Sequence, residues 1–254
     1  MILGFPTHPR KNLIEEIDWI AANGFDFVDL FIEDDQASPE HVNVTAISAI
    51  LRRYGLGVVG HTAWYLPIGS PNKNLRLAAV QEASRSFGVF RDIGVKLVTI
   101  HADWPSSMFS IDEGVSFQTK SLRQLVEEAG KNDLEIVYEL SVSRENTVEN
   151  IDKVLSGVPG LGFHLDIGHA NLNGNKPERF IEKLHSRLRH VHLSDNNGYE
   201  DLHLPVGCGN INWEKTLKKL KEHYDETITL EIFSNEKHYA QLSKQRVNEL
   251  WSRL

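Results

Sequence analysis

The run HVHLSDNNGYEDLHLPVGCGN, His190 to Asn210, carries three histidines, three acids and three glycines in 21 residues. Imidazole and carboxylate groups together ligate zinc, manganese, iron or cobalt with no thiolate required. The same groups move protons in general acid–base catalysis. Residues of this kind recur at the ends of short apolar runs along the chain: His61, His101, Glu139, Asp166 with His169 three residues on, His192 with Asp201 and His203, and Glu231. A lone histidine at such a place is more often a satisfied polar residue than a ligand. The acids are harder to explain that way. Glu139 lies inside IVYEL and Glu231 inside ITLEIFS, where an unpaired carboxylate must neutralise or find a cation. Of the 12 histidines, His61, His101, His169, His192 and His203 fall at these few sites. His8, His41, His185, His223 and His238 do not, and His164 and His190 read as satisfied core histidines or as supports for the site. Cys208, in a GCG turn, reads as a tolerated small residue rather than a ligand or nucleophile.

These side chains can meet only if the elements bearing them converge. Eight apolar runs read as strands: Ile2–Phe5, Phe25–Ile32, Leu56–His61, Lys96–His101, Leu134–Glu139, Leu161–Asp166, His190–Ser194 and Thr227–Phe233. Several are continuously apolar, as strands buried on both faces are. Amphipathic stretches alternate with them. NLIEEIDWIAANG has apolar residues at helical spacing and stops at Gly24, and VTAISAILRRYG stops at Gly55. SLRQLVEEAGKN and NWEKTLKKLKEHY show the same spacing with charged outer faces, and SRENTVENIDKVLSG opens with Ser143 as its capping residue. NGFDFVDL, a helix end running into a strand, returns in weaker form as RYGLGVVG and DIGVKLVTI. Eight βα units of about 30 residues fill the chain without a spare linker. The expected fold is therefore α/β, a single (β/α)8 barrel as one domain over residues 1–254. An open doubly wound sheet usually carries a glycine-rich phosphate loop after its first strand, and GFPTHPRKN is not one. In a barrel every strand end named above opens onto one face, where barrel active sites sit.

Composition narrows the classes. A chain of 254 residues buries a large core and needs no disulfide or structural metal for stability. One cysteine excludes an internal disulfide framework and fits a reducing, cytoplasmic setting. MILGFPTHPRKN does not read as a signal peptide, and no apolar run reaches the length of a membrane helix, so no membrane partner is expected. A net charge of −8 disfavours a nucleic-acid partner.

HLDIGHANLNG and HVHLSDNNGYEDLHLPVGCGNINW resemble the xylose isomerase-like barrels, and the resemblance runs over essentially the whole chain. That superfamily includes sugar (phosphate) isomerases and epimerases, and endonuclease IV among the family 2 AP endonucleases. The resemblance implies a divalent metal, zinc or manganese first and magnesium, cobalt or iron as alternatives, held by Glu139, Asp166, His192 and Glu231. It also implies that Glu139 and Glu231 exchange the substrate proton. The endonuclease branch adds two histidines after strands three and four, and an Asp-x-His in the loop after strand seven. His61, His101, His169, Asp201 and His203 stand at the matching places, so one to three ions are accommodated.

Ketose epimerases of the superfamily place an arginine six residues after the strand-seven histidine, where this chain has Gly198. That departure counts against ketose 3-epimerisation in particular. The loops HADWPSSMFSID, DIGHANLNGNK and SDNNGYEDLH are short and mostly acidic or neutral, unlike a DNA-gripping face. Trp64, Tyr65 and Leu66 suit either a duplex wedge or an apolar wall over a small sugar. The expected activity is thus a metal-dependent isomerase or epimerase on a small polyhydroxy carbonyl compound, working by proton transfer next to a carbonyl through a metal-stabilised enediolate. His169, His61, His101, Trp64, Trp104 and Glu33 are its expected substrate contacts, with Phe5 in the apolar wall. The alternative is an endonuclease IV-like multi-zinc phosphodiesterase acting on abasic DNA, and a barrel that binds metal and ligand without turnover ranks third.

Overall fold

Eight parallel strands close on themselves in chain order: β1 (Ile2–Pro6), β2 (Phe27–Ile32), β3 (Gly57–Thr62), β4 (Leu97–His101), β5 (Glu135–Glu139), β6 (Gly162–Asp166), β7 (Leu188–Leu193) and β8 (Thr227–Leu230). The computed structural model describes all residues except Asp34 and Asn235, with Asp35 described in its backbone only. β1 bonds to both β2 and β8, which makes the sheet a barrel and excludes the open doubly wound alternative. The helices lie outside: α1 (Leu13–Ala22), α2 (Val44–Tyr54), α3 (Lys73–Arg85), α4 (Phe87–Ile93), α5 (Ile111–Gly130), α6 (Val148–Gly157), α7 (Pro177–Leu184), α8 (Trp213–Lys221) and α9 (His238–Arg253). The third unit carries two of them, α3 and α4, between its strand and the next. None of the described helices is long and apolar enough to cross a membrane.

Local chemistry sets the element ends. Asn12, Asn43, Asn72 and Asn212 each accept backbone N–H bonds at a helix start, satisfying donors the helix leaves free. Ser110 and Glu113 form a reciprocal capping box on α5. Ser143 does not cap α6. Its hydroxyl turns to Glu145, and Thr147 caps the helix through Asn150 N at 3.2 Å. β8 also ends earlier than the run TITLEIF suggests. Glu231 N still bonds to Leu193 O of β7 at 3.0 Å, but Phe233 N bonds to His203 O at 3.3 Å. The chain is drawn onto the β7–α8 loop at that point and leaves the sheet.

Strands β2 and β6 are buried along their whole length, as their near-continuous apolar sequences require. The barrel interior is not uniformly aliphatic. Asp29, His61, Thr99, Glu139, His164, His190, His192 and Thr229 are all at most 1 % exposed. Their hydrogen bonds cross between strands that are not neighbours, such as Asp29 of β2 with His192 of β7 and Thr99 of β4 with His164 of β6. Barrel interiors are ordinarily filled by branched aliphatic layers. Here the layers toward the strands' C-terminal ends are largely polar.

Candidate active site

The parallel strands bring the chemistry to one end. His101, Glu139 and Asp166 are the last residues of β4, β5 and β6, His61 and His192 stand one residue before the ends of β3 and β7, and Glu231 follows β8 directly. Register sets His101 beside Glu139 and Asp166 beside His192. His169 lies in a short turn after β6, and Asp201 and His203 lie in the β7–α8 loop. The nine residues form three linked groups with ligand atoms within 4.8 Å: Glu139, Asp166, His192 and Glu231; His61, His101 and Glu139; His169, Asp201 and His203.

Hydrogen-bond directions show what the imidazoles offer. His61 Nδ1 lies 2.8 Å from Thr62 O, His169 Nδ1 2.8 Å from Leu140 O, and His203 Nδ1 3.1 Å from Glu231 O. A carbonyl oxygen only accepts, so each Nδ1 bears hydrogen and each Nε2 is the ring's other face. Those Nε2 atoms point at carboxylates. His61 Nε2 is 3.2 Å and His101 Nε2 2.8 Å from Glu139 Oε2. His169 Nε2 and His203 Nε2 are 3.3 and 3.0 Å from the same Asp201 Oδ2. His192 is turned the other way: Nε2 donates to Asp29 Oδ2 at 2.8 Å, and Nδ1 faces Glu231 Oε2 at 3.2 Å and Glu139 Oε1 at 3.5 Å. Glu139 therefore splits its two oxygens between two groups.

Ring nitrogen lone pairs aimed at carboxylates demand a positive charge between them. Burial alone would lower the His169, His192 and His203 imidazolium pKa values, yet Asp166, Asp201 and Glu231 outweigh it. His169 rises to about 10, His203 to about 9, and His192 well above its ordinary range. Burial would raise Glu231, but His192 and His203 hold it at about 2, while Asp166, buried and close to Glu231 and Glu139, is pushed up to about 7. Protons balance the carboxylates at the same nitrogens that a divalent ion would take. The fit to a cation is direct: buried Glu139 Oε1, Asp166 Oδ2 and His192 Nδ1 have no hydrogen-bond partner, and an unmet buried polar atom costs about 1–3 kcal/mol. An all-nitrogen-and-oxygen donor set of this kind suits zinc or manganese. Cys208 is exposed and belongs to none of the groups.

The surroundings hold these groups in place. Asp195 stitches the β7–α8 loop: Oδ1 accepts from Asn196 N and Ile211 N, and Oδ2 from Gly207 N and Trp213 Nε1 at 2.9 and 2.7 Å. Gly207 has φ +89°, and at Gly209 a Cβ would run into the Asn196 backbone and Asp195 Oδ1, so both glycines of GCG are needed. His203 itself has φ +44°, a left-handed conformation rare outside glycine, which aims its ring at Asp201. Phe31 stacks on His61 at 3.9 Å between centroids. Asp29, Phe31 and Asp195 support the ligand positions from residues that hold no such position themselves. The legible signal for Asp29 is a lone acid inside FVDLFI.

Above the groups opens a cavity of about 1400 Å³. Its lining includes Glu231, His101, His169, Asp201 and His203, and also Trp64, Trp104, Glu33 and Phe5. Trp64 is 63 % exposed at the mouth, whereas Trp104 is fixed by Nε1 donating to Asn146 Oδ1 at 2.6 Å. His61 and Glu139 are fully buried and do not line the cavity, so His61, expected to touch substrate, lies behind His101 instead.

The family model of the xylose isomerase-like TIM barrels matches residues 17–249. The chain belongs to this family. An uncharacterized protein of Methanocaldococcus jannaschii is 30% identical over 264 residues, covering 94% of this chain and 88% of that one. Among solved barrels, a D-tagatose 3-epimerase-like protein is similar at TM-score 0.88 and 27% identity, covering 100% of this chain and 98% of that one. The IOLI protein, crystallised with a zinc atom, shares the fold at TM-score 0.83 and 16% identity, covering 100% and 99% of the two chains. Xylose isomerase-like barrels thus reach this sequence in fold and in length.

Proposed function

We propose that this xylose isomerase-like barrel is a divalent-metal-dependent isomerase or epimerase of a small polyhydroxy carbonyl compound. One observation carries the reading: Glu231, an ionised carboxylate of the Glu139, Asp166, His192 and Glu231 group, faces the cavity between aromatic walls. The likeness to a D-tagatose 3-epimerase-like protein supports the same class. Glu139, Asp166, His192 and Glu231 would hold the ion, which supplies electrophilic stabilisation of negative charge building on a substrate oxygen.

The chain's own side chains do the rest. Glu231 takes the proton from the carbon next to the carbonyl and returns it. Glu139 is the expected exchange partner, but its burial behind His101 makes it a ligand and charge balance first, and Glu231 the group in contact with substrate. His169, with Nδ1 pinned to Leu140 O and Nε2 3.3 Å from Asp201 Oδ2, borders the cavity and would turn Nε2 either to a substrate hydroxyl or, with Asp201 and His203, to a second ion. Phe5, Trp64 and Trp104 keep water from the reacting carbon, and Glu33, half-buried at the cavity wall, is placed for a further hydroxyl.

A second reading rests on its own observation. Glu139 shares its oxygens between two groups while Asp201 gathers His169 and His203 into a third, which is the layout of a multinuclear phosphodiesterase. Against it, the cavity lining holds Glu16, Glu33, Asp103, Asp201, Glu231 and Glu236 but only Arg10, Lys11 and Lys237 among lysines and arginines. Such a wall repels a phosphate backbone.

The test is to load the protein with manganese or zinc, incubate it with ketoses and aldoses in deuterated water, and follow deuterium entering the carbon next to the carbonyl. Exchange that Glu231→Gln abolishes with the fold intact supports the reading. No exchange with any sugar, together with incision of an abasic duplex and close to three zinc ions per chain, overturns it.

A further inference from the structure

The hydrogen bonds beneath the site form a directed chain. We infer that Asp29, supported by Thr229 and His190, is a positioning residue that fixes the tautomer of His192 and so commits Nδ1 to the metal side. Asp29 is fully buried in β2, and its Oδ2 meets His192 Nε2 at 2.8 Å, Thr229 Oγ1 at 2.9 Å and His190 Nε2 at 3.5 Å. A carboxylic acid facing an imidazole cedes its proton to the ring, because its ordinary pKa lies well below the imidazole's, so Asp29 is a carboxylate. An ionised carboxylate only accepts. Thr229 Oγ1, 2.9 Å away, therefore gives it the hydroxyl hydrogen, and His192 Nε2, 2.8 Å away, gives it a ring hydrogen.

Each assignment forces the next. Thr229 has spent its one hydrogen, so its oxygen accepts from His190 Nε2 at 3.1 Å. His190 Nδ1 then accepts from Thr227 Oγ1 at 2.8 Å. Every hydrogen runs from β8 and β7 toward Asp29, and no arrangement of the neutral rings reverses one link without breaking another. The sequence separation between Asp29 and His192 is 163 residues, and the barrel closes it.

A purely structural Asp29 is the competing account, and the geometry weighs against it. Asp29 Oδ1 is buried without a hydrogen-bond partner, and a neutral side chain would fill the same space without that cost. A carboxylate is what holds an imidazole N–H firmly and makes the opposite nitrogen a better ligand. The inference rests on the metal reading of this site and not on which substrate it serves.

The experiment titrates zinc against a competing chelator and reads the binding step that His192→Ala removes. Wild-type protein that shows no such step overturns the metal reading itself. With that step present, Asp29→Asn is expected to weaken it about 10–100-fold. Thr229→Val, an apolar near-isostere, is expected to weaken it by a smaller factor and keeps the test open if the asparagine variant does not fold. Imidazole NMR of the zinc-loaded protein gives a readout no merely structural role would move: His192 carries its hydrogen on Nε2 in a charge-assisted bond to Asp29 in the wild type, and that Nε2–H resonance moves upfield in folded Asp29→Asn. Folded Asp29→Asn with unchanged zinc affinity and an unchanged His192 Nε2–H resonance overturns the inference.

Discussion

At pH 7.5 the metal-free His169, Asp201 and His203 group holds two protons that a metal ion must expel. His169 titrates at about 10 and His203 at about 9, because burial is outweighed by the acids around them. Both Nε2 atoms face Asp201 Oδ2, at 3.3 and 3.0 Å, while both Nδ1 hydrogens are fixed on carbonyl oxygens. A metal can use only the Nε2 lone pairs, so each ion bound there releases both protons. Affinity should then climb about 100-fold per pH unit up to about pH 9, and about tenfold per unit from there to about pH 10. Calorimetric zinc titration at pH 7.5, in buffers of differing ionisation enthalpy and with a weak competing chelator, counts the protons directly. The expected count for this group is about two, and His203→Ala should remove at least one of them. A count near zero, with zinc still bound through His203, would refute the charge argument built on Asp201.

Without metal, stability should follow the same protons with the opposite sign. His169, His203 and Asp166 all have folded pKa values above their unfolded ones, so their contribution is full at low pH and is lost as pH rises. Asp166 acts from about 4 to about 7, and the two histidines from about 6.5 to about 10. Burial lowers His101, His164 and His190, which work the other way below about pH 6.5. The metal-free melting temperature should therefore fall from about pH 7 to about pH 10 and the zinc-loaded one should fall less; a metal-free protein that grows more stable from about pH 7 to about pH 9 contradicts the assignment. Gly209→Ala should destabilise by about 1–3 kcal/mol through overpacking against Asn196 and Asp195, read as a lower melting temperature and weaker metal binding at Asp201 and His203. An unchanged melting temperature would show that the loop yields.

Much of this protein is legible in its residue order. Alternating apolar runs and amphipathic stretches define a barrel because parallel strands buried on both faces must be continuously apolar. The acids and histidines ending those runs come together because one face of a barrel collects every strand's C-terminal end. The nine residues from His61 to Glu231 follow from those two facts and converge as expected. The errors are local. Thr147 rather than Ser143 caps α6 because the Ser143 hydroxyl has a nearer partner in Glu145, and β8 stops at Leu230 because the β7–α8 loop draws Phe233 away.

What only the tertiary structure decides is which atom of each side chain faces what. Glu139 divides its oxygens between two histidine groups and sits behind His101, outside the cavity lining that Glu231 joins. His192 turns Nδ1 to the site because Asp29, 163 residues away, holds its Nε2 hydrogen. Strand period fixes the face a residue takes but carries no information about neighbours across the barrel. Ring tautomer and carboxylate sharing are set by those neighbours, so the candidate ligands can be read along the chain while their orientation waits for the closed barrel.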